Sequence, residues 1–469
     1  MEQNVGYLLL KLSFPAVCGM LIHSGFSLID TYYVARLGPK PMAALTLCIP
    51  VLILISSIAS STGTGLTSLI ARTLGSGDAK SADNVAWHGL AMSIVCGVLT
   101  LIIGNSICNE LLLLFGSTPE TFKLSKDYLH IVFWGSTFLF IPVCMSSIIQ
   151  GEGNILFPMV ASLVGMGINV ALDPVLIFGF GPIRPLGLNG AAMATVLSQV
   201  ISGVLIGGYV AKKQGMLTWS LRNYRPSMKV IWGIYRVGLP AMAMDIAGII
   251  IMVYLNQLLA SFGYTAIAVL GIFLRIRSLV YMPVFGLAQG TMPIASFAYG
   301  AGINERVKET LVKASVISFL MVGIGWAIVQ AQPAWIFGKF SPDPEVVAMG
   351  ATCIWLSTLF LPLMGPLAIL YTVLQSIGKG FTAMWLSLLR QLGFFLPLLL
   401  VLPDYFGLNG VWVAFSLSEL MSVFLAFGFM INTWRGLDSR GKVSIVIRLN
   451  PPYLFKRLSA WMKWNQGLF

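Results

Sequence analysis

Apolar runs of about 20 residues, the length that crosses a bilayer, recur from one end of the chain to the other. Their limits predict twelve transmembrane helices, at about 8–36, 45–72, 86–115, 124–150, 155–180, 188–211, 230–262, 266–299, 309–331, 346–377, 381–402 and 408–434. The expected fold class is an all-α integral membrane protein. The first run is too long for a signal peptide and lacks a small-residue cleavage site, so it reads as the first span. Prolines within the runs are candidate kinks: Pro15, Pro50, Pro142, Pro174, Pro240, Pro283, Pro293, Pro362, Pro366 and Pro397. Lipid tolerates them only where neighbours or cavity water satisfy the freed carbonyls.

Composition strengthens this reading. Of 469 residues, 57% are hydrophobic and only 10% charged, against roughly 25% charged in ordinary globular chains, and the mean hydropathy is +0.86. A net charge of +12 could suggest nucleic acid, but the placement of the charges argues otherwise. With the N-terminus inside, 20 of the 29 Lys and Arg fall on the cytoplasmic side, six fall outside, and Arg275, Arg277 and Arg390 lie within spans. The positive-inside rule then puts both termini in the cytoplasm. The six cysteines stand singly, with no CxxC and no Cys/His cluster, so neither a disulfide framework nor a metal site is expected.

The chain also repeats itself. Pro15 answers Pro240 at an offset of 225, and the same offset pairs Gly38 with Gly263, Gly65 with Gly290, Gly77 with Gly302 and Gln150 with Gln375. Near the end of each half, "GLNGAAMATVLSQ" meets "GLNGVWVAFSLSE" at an offset of 220. Self-similarity of this length marks an architecture. It predicts an N-terminal lobe (1–211), a basic cytoplasmic linker (212–229), a C-terminal lobe (230–434) and a basic tail (435–469), with a cavity near the midplane between parallel-repeat bundles. That layout belongs to transporters. The tail interleaves Lys and Arg with Tyr453, Phe455, Trp461 and Trp464, a pattern that favours anionic lipid over RNA.

Four acids fall inside spans: Asp30, Asp173, Asp245 and Glu419. A charge at the bilayer centre costs roughly 2.5–3.5 kcal/mol on insertion scales, so such acids face a cavity or a partner. Asn169 and Asp173 are four residues apart and share a helix face, which suits a proton or a small hard cation. A structural hydrogen bond is the bland alternative there, as pairing with Arg36 is for Asp30. The repeat offers a control: Asp30 corresponds to Leu255, and "NVALDP" to "LGFFLPL", so the second half keeps a proline and has no acid at either place. Asp245, one turn after Pro240, and Arg275 are substrate-cavity candidates, with Arg275 and Arg277 either lining water or binding Asp245. Glu419 is expected to pair with Arg390.

The helix-1 pair Pro15 and Asp30, "QGEGN" after the fourth span, "NVALDP" in the fifth and "GLNGAAMAT" in the sixth together resemble the MATE family of multidrug and toxic compound extrusion transporters. The resemblance covers about residues 5–435 and is closest to the DinF-like branch, because the ionisable cluster lies in the first half. It implies a secondary efflux antiporter, not an enzyme, exchanging H+ or Na+ for organic, cationic and amphipathic compounds. It further implies that Asp30, Asn169, Asp173, Tyr128 and Thr195 form the coupling site, with Na+ as one possible occupant at Asp30, Asn169 and Asp173, and that helix 1 bends at Pro15. No other cofactor is expected, and no nucleic acid. The expected protein is monomeric, in the bilayer of a bacterial or archaeal inner membrane. A flippase for a lipid-linked precursor, from the same wider superfamily, is the alternative, but it would want a more strongly cationic cavity. An intramembrane enzyme is the remote one, since the three histidines are scattered and no HExxH, GxSxG or P-loop occurs.

Overall fold

Long apolar stretches become helices here because in lipid each backbone N–H and C=O must be satisfied within its own segment. The computed structural model describes residues 4–440 except 183, 213 and 214. In order, the helices are α1 (Val5–Ala35), α2 (Pro39–Gly75), α3 (Ala79–Ser106), α4 (Cys108–Leu114), α5 (Pro119–Gly151), α6 (Leu156–Phe178), α7 (Leu188–Ala211), α8 (Met228–Ala260), α9 (Tyr264–Gly300), α10 (Asn304–Ala331), α11 (Pro333–Phe340), α12 (Pro344–Ser357), α13 (Leu361–Ser376), α14 (Gly380–Leu388), α15 (Leu396–Phe406) and α16 (Leu408–Arg440). A π-helical turn, Leu389–Phe395, joins α14 to α15. The basic tail lies almost wholly outside the described residues.

Among the described residues, eleven helical spans are long and apolar enough to cross a membrane, and a twelfth is reached when α12 and α13, bent by 54° at their junction, count as one. Many large apolar side chains, such as Phe14, Leu99, Ile102, Val204, Ile324 and Phe424, are exposed along these helices, as contact with lipid tails requires. The chain is a multi-pass membrane protein.

Three expected spans differ in detail. The third, 86–115, ends at Ser106, and the rest forms the short helix α4. The tenth, 346–377, breaks after Ser357, because Pro362 has no N–H to return to the Thr358 carbonyl and its ring would collide with that carbonyl. Carbonyls near the break find side-chain donors: the Ser416 hydroxyl donates to Leu356, and Thr358 donates to Ile354 at 2.8 Å. The eleventh, 381–402, contains the π turn just before Pro397. Pro15, Pro50, Pro142, Pro174, Pro240, Pro283, Pro293 and Pro366 lie inside unbroken helices.

The repeat is visible in the backbone itself. Left-handed glycines recur as Gly38 and Gly263 (φ 106° and 107°), Gly77 and Gly302 (84° and 75°), Gly153 and Gly378 (90° and 79°), and Gly187 and Gly407 (57° and 56°). The short helices α4 and α11 begin 225 residues apart. In "GLNG" the reasons are local. Gly187 and Gly407 take backbone angles closed to other residues. Gly190 and Gly410 then bring their helix starts so close to the preceding helix that a Cβ would stand 2.4 Å from the Leu176 carbonyl oxygen and 2.3 Å from that of Leu402, respectively.

Packing groups the chain differently from the repeat. One unit, here the N-unit, comprises Leu21–Gly238 with Gly300–Gly302; the other, the C-unit, contains α1 as far as Met20, Leu239–Tyr299 and the chain from Ile303. The first helix of each half therefore changes unit partway, near Pro15 in α1 and beside Pro240 in α8. Small residues allow this. In the C-unit, Gly290 and Gly286 of α9 seat Ser13 and Val17 of α1, while in the N-unit Gly65 of α2 seats Ile234 of α8. The C-unit core accordingly includes Val5 and Leu9 beside Leu287, Ala295, Leu311 and Leu370. The N-unit core is centred on Ile55, Leu129, Phe133 and Phe140.

Candidate functional site

In the N-unit, α1, α5 and α6 bring three of the expected coupling residues together. Asp173 is completely buried, and neither of its carboxylate oxygens has a hydrogen-bond partner. Asp30 of α1 is half-buried and its carboxyl interacts directly with that of Asp173, close enough for the two to share a proton. The Tyr128 hydroxyl of α5, on a side chain only 6% exposed, lies within electrostatic range of both acids. Asn169, one turn before Asp173 on α6, has a buried Nδ2 without a partner. Thr195 of α7 donates its hydroxyl to the Ala191 carbonyl of its own helix at 3.0 Å, so its lone pairs are the part left to meet a cation. Pro174 keeps α6 continuous while leaving the carbonyl of Val170 without its usual N–H. Arg36 places its guanidinium 5.9 Å from the Tyr32 ring centroid.

A buried carboxyl without hydrogen-bond partners is costly in its charged form unless a cation or proton accompanies it. The groups brought together, two carboxylates and the Tyr128 hydroxyl, offer oxygen alone, as hard cations prefer. These residues fit H+ or Na+.

The acids of the second half are placed differently. Glu419 of α16 is 1% exposed and pairs with Arg277 of α9 at 2.7 Å, so the ion pair expected with Arg390 is made by Arg277. The Arg277 guanidinium also lies 5.4 Å from the Phe415 ring centroid. Asp245 of α8 and Arg275 of α9 are exposed, and neither lines the cavity that Arg277, Arg390 and Glu419 line.

Sequence reasoning overlooked a polar clamp in the N-unit. Asp83, 1% exposed near the start of α3, accepts hydrogen bonds from the backbone N–H of Thr218 at 2.8 Å and of Trp219 at 3.2 Å, from Asn223 Nδ2 at 2.8 Å, and from the Thr218 hydroxyl. The next residue, Asn84, accepts from the Arg225 N–H at 2.9 Å, and one turn further on His88 Nε2 accepts from the Ser227 N–H at 3.0 Å. Glu152 of "QGEGN" accepts from the Leu217 N–H at 2.6 Å, which gives part of that motif a structural role. The basic linker is thus strapped to α3 and to the end of α5. The available signal was a pair of polar residues, Asp83 and Asn84, one turn before His88 at the polar start of a span.

A family model described as MatE matches the chain twice, over residues 15–175 and 240–401. The two matches start 225 residues apart, the offset of the internal repeat. Among curated relatives, the multidrug export protein MepA of Staphylococcus haemolyticus is 26% identical over 448 residues, covering 95% of this chain and 97% of the relative. An FAD transporter of Shewanella oneidensis is 28% identical over 428 residues, covering 89% and 92%. Among solved structures, a MOP superfamily transporter from Pyrococcus furiosus, described as having a binding pocket of reverse polarity that suggests a different function, superposes with a TM-score of 0.87 at 26% identity, covering 93% of this chain and 97% of that one. The twofold match, the all-helical spans and the likeness along the whole length lead to one conclusion: the chain belongs to the MatE family of non-enzymatic membrane transporters.

Proposed function

We propose that this transporter couples the inward movement of H+ or Na+ to the export of organic compounds, cationic amphipathic molecules among them, by alternating access. The observation that carries the reading is the Asp30–Asp173 pair, with both Asp173 oxygens buried and reached by no donor group other than Asp30 itself. Asp30 and Asp173 take up the ion, Asn169 orients the pair through its side-chain amide, and Tyr128 seals the apolar side of the site. Once the pair is neutral, the cost of burying it falls, and the balance between two conformations of the transporter shifts. Coupling arises because ion and cargo favour different conformations of that equilibrium. Pro15, just before α1 changes unit, is the place where a change of α1 geometry meets least hydrogen-bond resistance, because its nitrogen donates nothing.

The cargo class follows the relatives only in outline. A multidrug exporter and a transporter of the dinucleotide FAD both lie at about this distance, so an organic cargo is supported more strongly than its charge. A cytoplasmic location of both termini, in a bacterial or archaeal inner membrane, follows from the charge asymmetry of the loops.

Reconstituted proteoliposomes test the coupling. Uptake of a fluorescent cationic dye, driven separately by a Na+ gradient and by a pH gradient, identifies the ion. Asp30→Asn and Asp173→Asn are each expected to reduce gradient-driven exchange by tenfold or more, on the order of 1.4 kcal/mol of lost coupling. Full exchange in both variants rejects the proposal.

A further inference from the structure

The C-unit holds a half-open cavity of about 150 Å3 whose lining includes Leu255, Arg277, Arg390, Gln391, Phe415 and Glu419. Its place in the repeat is informative. Leu255 is the counterpart of Asp30 and Phe415 that of Thr195, and when Pro397 is set against Pro174, Asn169 and Asp173 fall opposite Leu392 and Leu396, beside Gln391 and Phe395. The second half therefore has a cavity where the first has its carboxylate pair, with the sign of charge reversed.

Two guanidiniums against one carboxylate leave the lining one positive charge in excess. Arg277 is matched by Glu419 at 2.7 Å. Arg390 has no acid of its own in the lining: its Nε is buried without a partner, it interacts with the Tyr371 hydroxyl, which brings no charge, and it shares with Arg277 the charge of the single acid, Glu419. A half-buried guanidinium that shares its one counter-charge with a second guanidinium is under-compensated, and its planar fork suits a carboxylate. Arg390 and Gln391 sit in the π-helical turn Leu389–Phe395, a distortion frequent at functional sites. Arg277 and Glu419 lie roughly 20 Å and 16 Å along α9 and α16 from the starts of those helices, close to the middle of a hydrocarbon core about 30 Å thick. That depth suits a molecule arriving from water better than a lipid headgroup. The volume is well below the roughly 300–1,000 Å3 of a site for a drug-sized ligand.

We propose that this cavity binds a small organic monocarboxylate. The carboxylate meets the Arg390 fork and cancels the single excess charge, and the apolar body packs on Leu255, Phe395 and Phe415. The site is separate from the acidic pair of the N-unit, and its test needs no ion gradient, so either proposal can fail without the other.

The test is thermal stabilisation of the purified full-length protein in neutral detergent by benzoate, with benzamide as the uncharged match of the same shape. Benzoate is expected to raise the melting temperature saturably and benzamide to leave it unchanged. Arg390→Gln is expected to abolish the benzoate shift, and Arg390→Lys to weaken it. Glu419→Gln, which removes the opposing negative charge, is expected to tighten benzoate binding by roughly threefold or more, and it decides the matter if Arg390→Gln does not fold. Equal shifts from benzoate and benzamide, a benzoate shift that survives in Arg390→Gln, or unchanged or weaker binding in Glu419→Gln would overturn the proposal. So would displacement of benzoate by added phosphatidylglycerol, which would mark a headgroup site instead.

Discussion

Asp83 shows how much one side chain can organise. Its carboxylate gathers four donors from a segment more than 130 residues away in sequence. Asp83→Ala leaves those donors without an acceptor, and each buried unsatisfied group costs about 1–3 kcal/mol. The expected loss of linker docking, on the order of 3 kcal/mol, corresponds to roughly 100-fold more open linker. Trypsin cleavage of the detergent-solubilised protein at Arg222 should accelerate accordingly, and an unchanged rate would mean that Asp83 does not hold the linker. Asp173 was legible in the sequence for a related reason: an acid in an oily run stands out against its surroundings. Asp83 did not stand out, because an acid at the polar end of a span is common, and only the fold shows that it is buried.

At the scale of the element, helix starts and breaks follow rules that sequence states openly. Asp78 caps α3, and hydrogen bonds from Ser81, its hydroxyl foremost, hold the Asp78 carboxyl below the usual carboxylate range. The "GLNG" repeats lead into α7 and α16 in the same way, each setting a glycine against a carbonyl of the preceding helix, and the same change should damage both. Gly190→Ala and Gly410→Ala each drive a Cβ into a backbone carbonyl, a strain that typically costs about 1–3 kcal/mol. Gly207→Ala and Gly208→Ala, where nothing lies within 4 Å, should leave the melting temperature of the purified protein unaltered. Equal melting temperatures for all four variants would show that the close approach is not real. The break between α12 and α13 was half legible: Pro362 was a marked candidate, but eight of the other prolines sit in continuous helices. Whether a proline bends or breaks a helix depends on what supplies donors around it: here the Thr358 carbonyl that Pro362 cannot serve takes the Leu361 N–H at 3.0 Å, and the nearby Leu356 carbonyl takes the hydroxyl of Ser416, 60 residues away.

At the scale of the molecule, the two halves by sequence and the two units by packing do not coincide, because α1 and α8 each begin in the unit that otherwise holds the opposite half. A chain severed in the linker, between residues 212 and 229, should therefore be stable only when both pieces are present. Each piece alone leaves the seats at Gly65 or Gly290 unfilled, and pulse-chase decay of the separately expressed pieces should be several-fold faster than that of the co-expressed pair. Equal lifetimes would argue against the crossed packing. By itself the sequence determined the membrane class, the spans to within a few residues for most helices, the parallel repeat and the acids of the N-unit. Those properties are carried by local hydrophobicity, by glycines at special backbone angles and by charges out of place, all of which act over one helix length or recur at a fixed offset. Only the tertiary structure decided that Glu419 pairs with Arg277 rather than Arg390, that Asp83 holds the linker, and that the second half has a basic, half-open cavity where the first has its acids. Each of these depends on how a helix is rotated against a neighbour distant in sequence, and a continuous apolar run, buried or lipid-facing on every side, leaves that rotation unmarked.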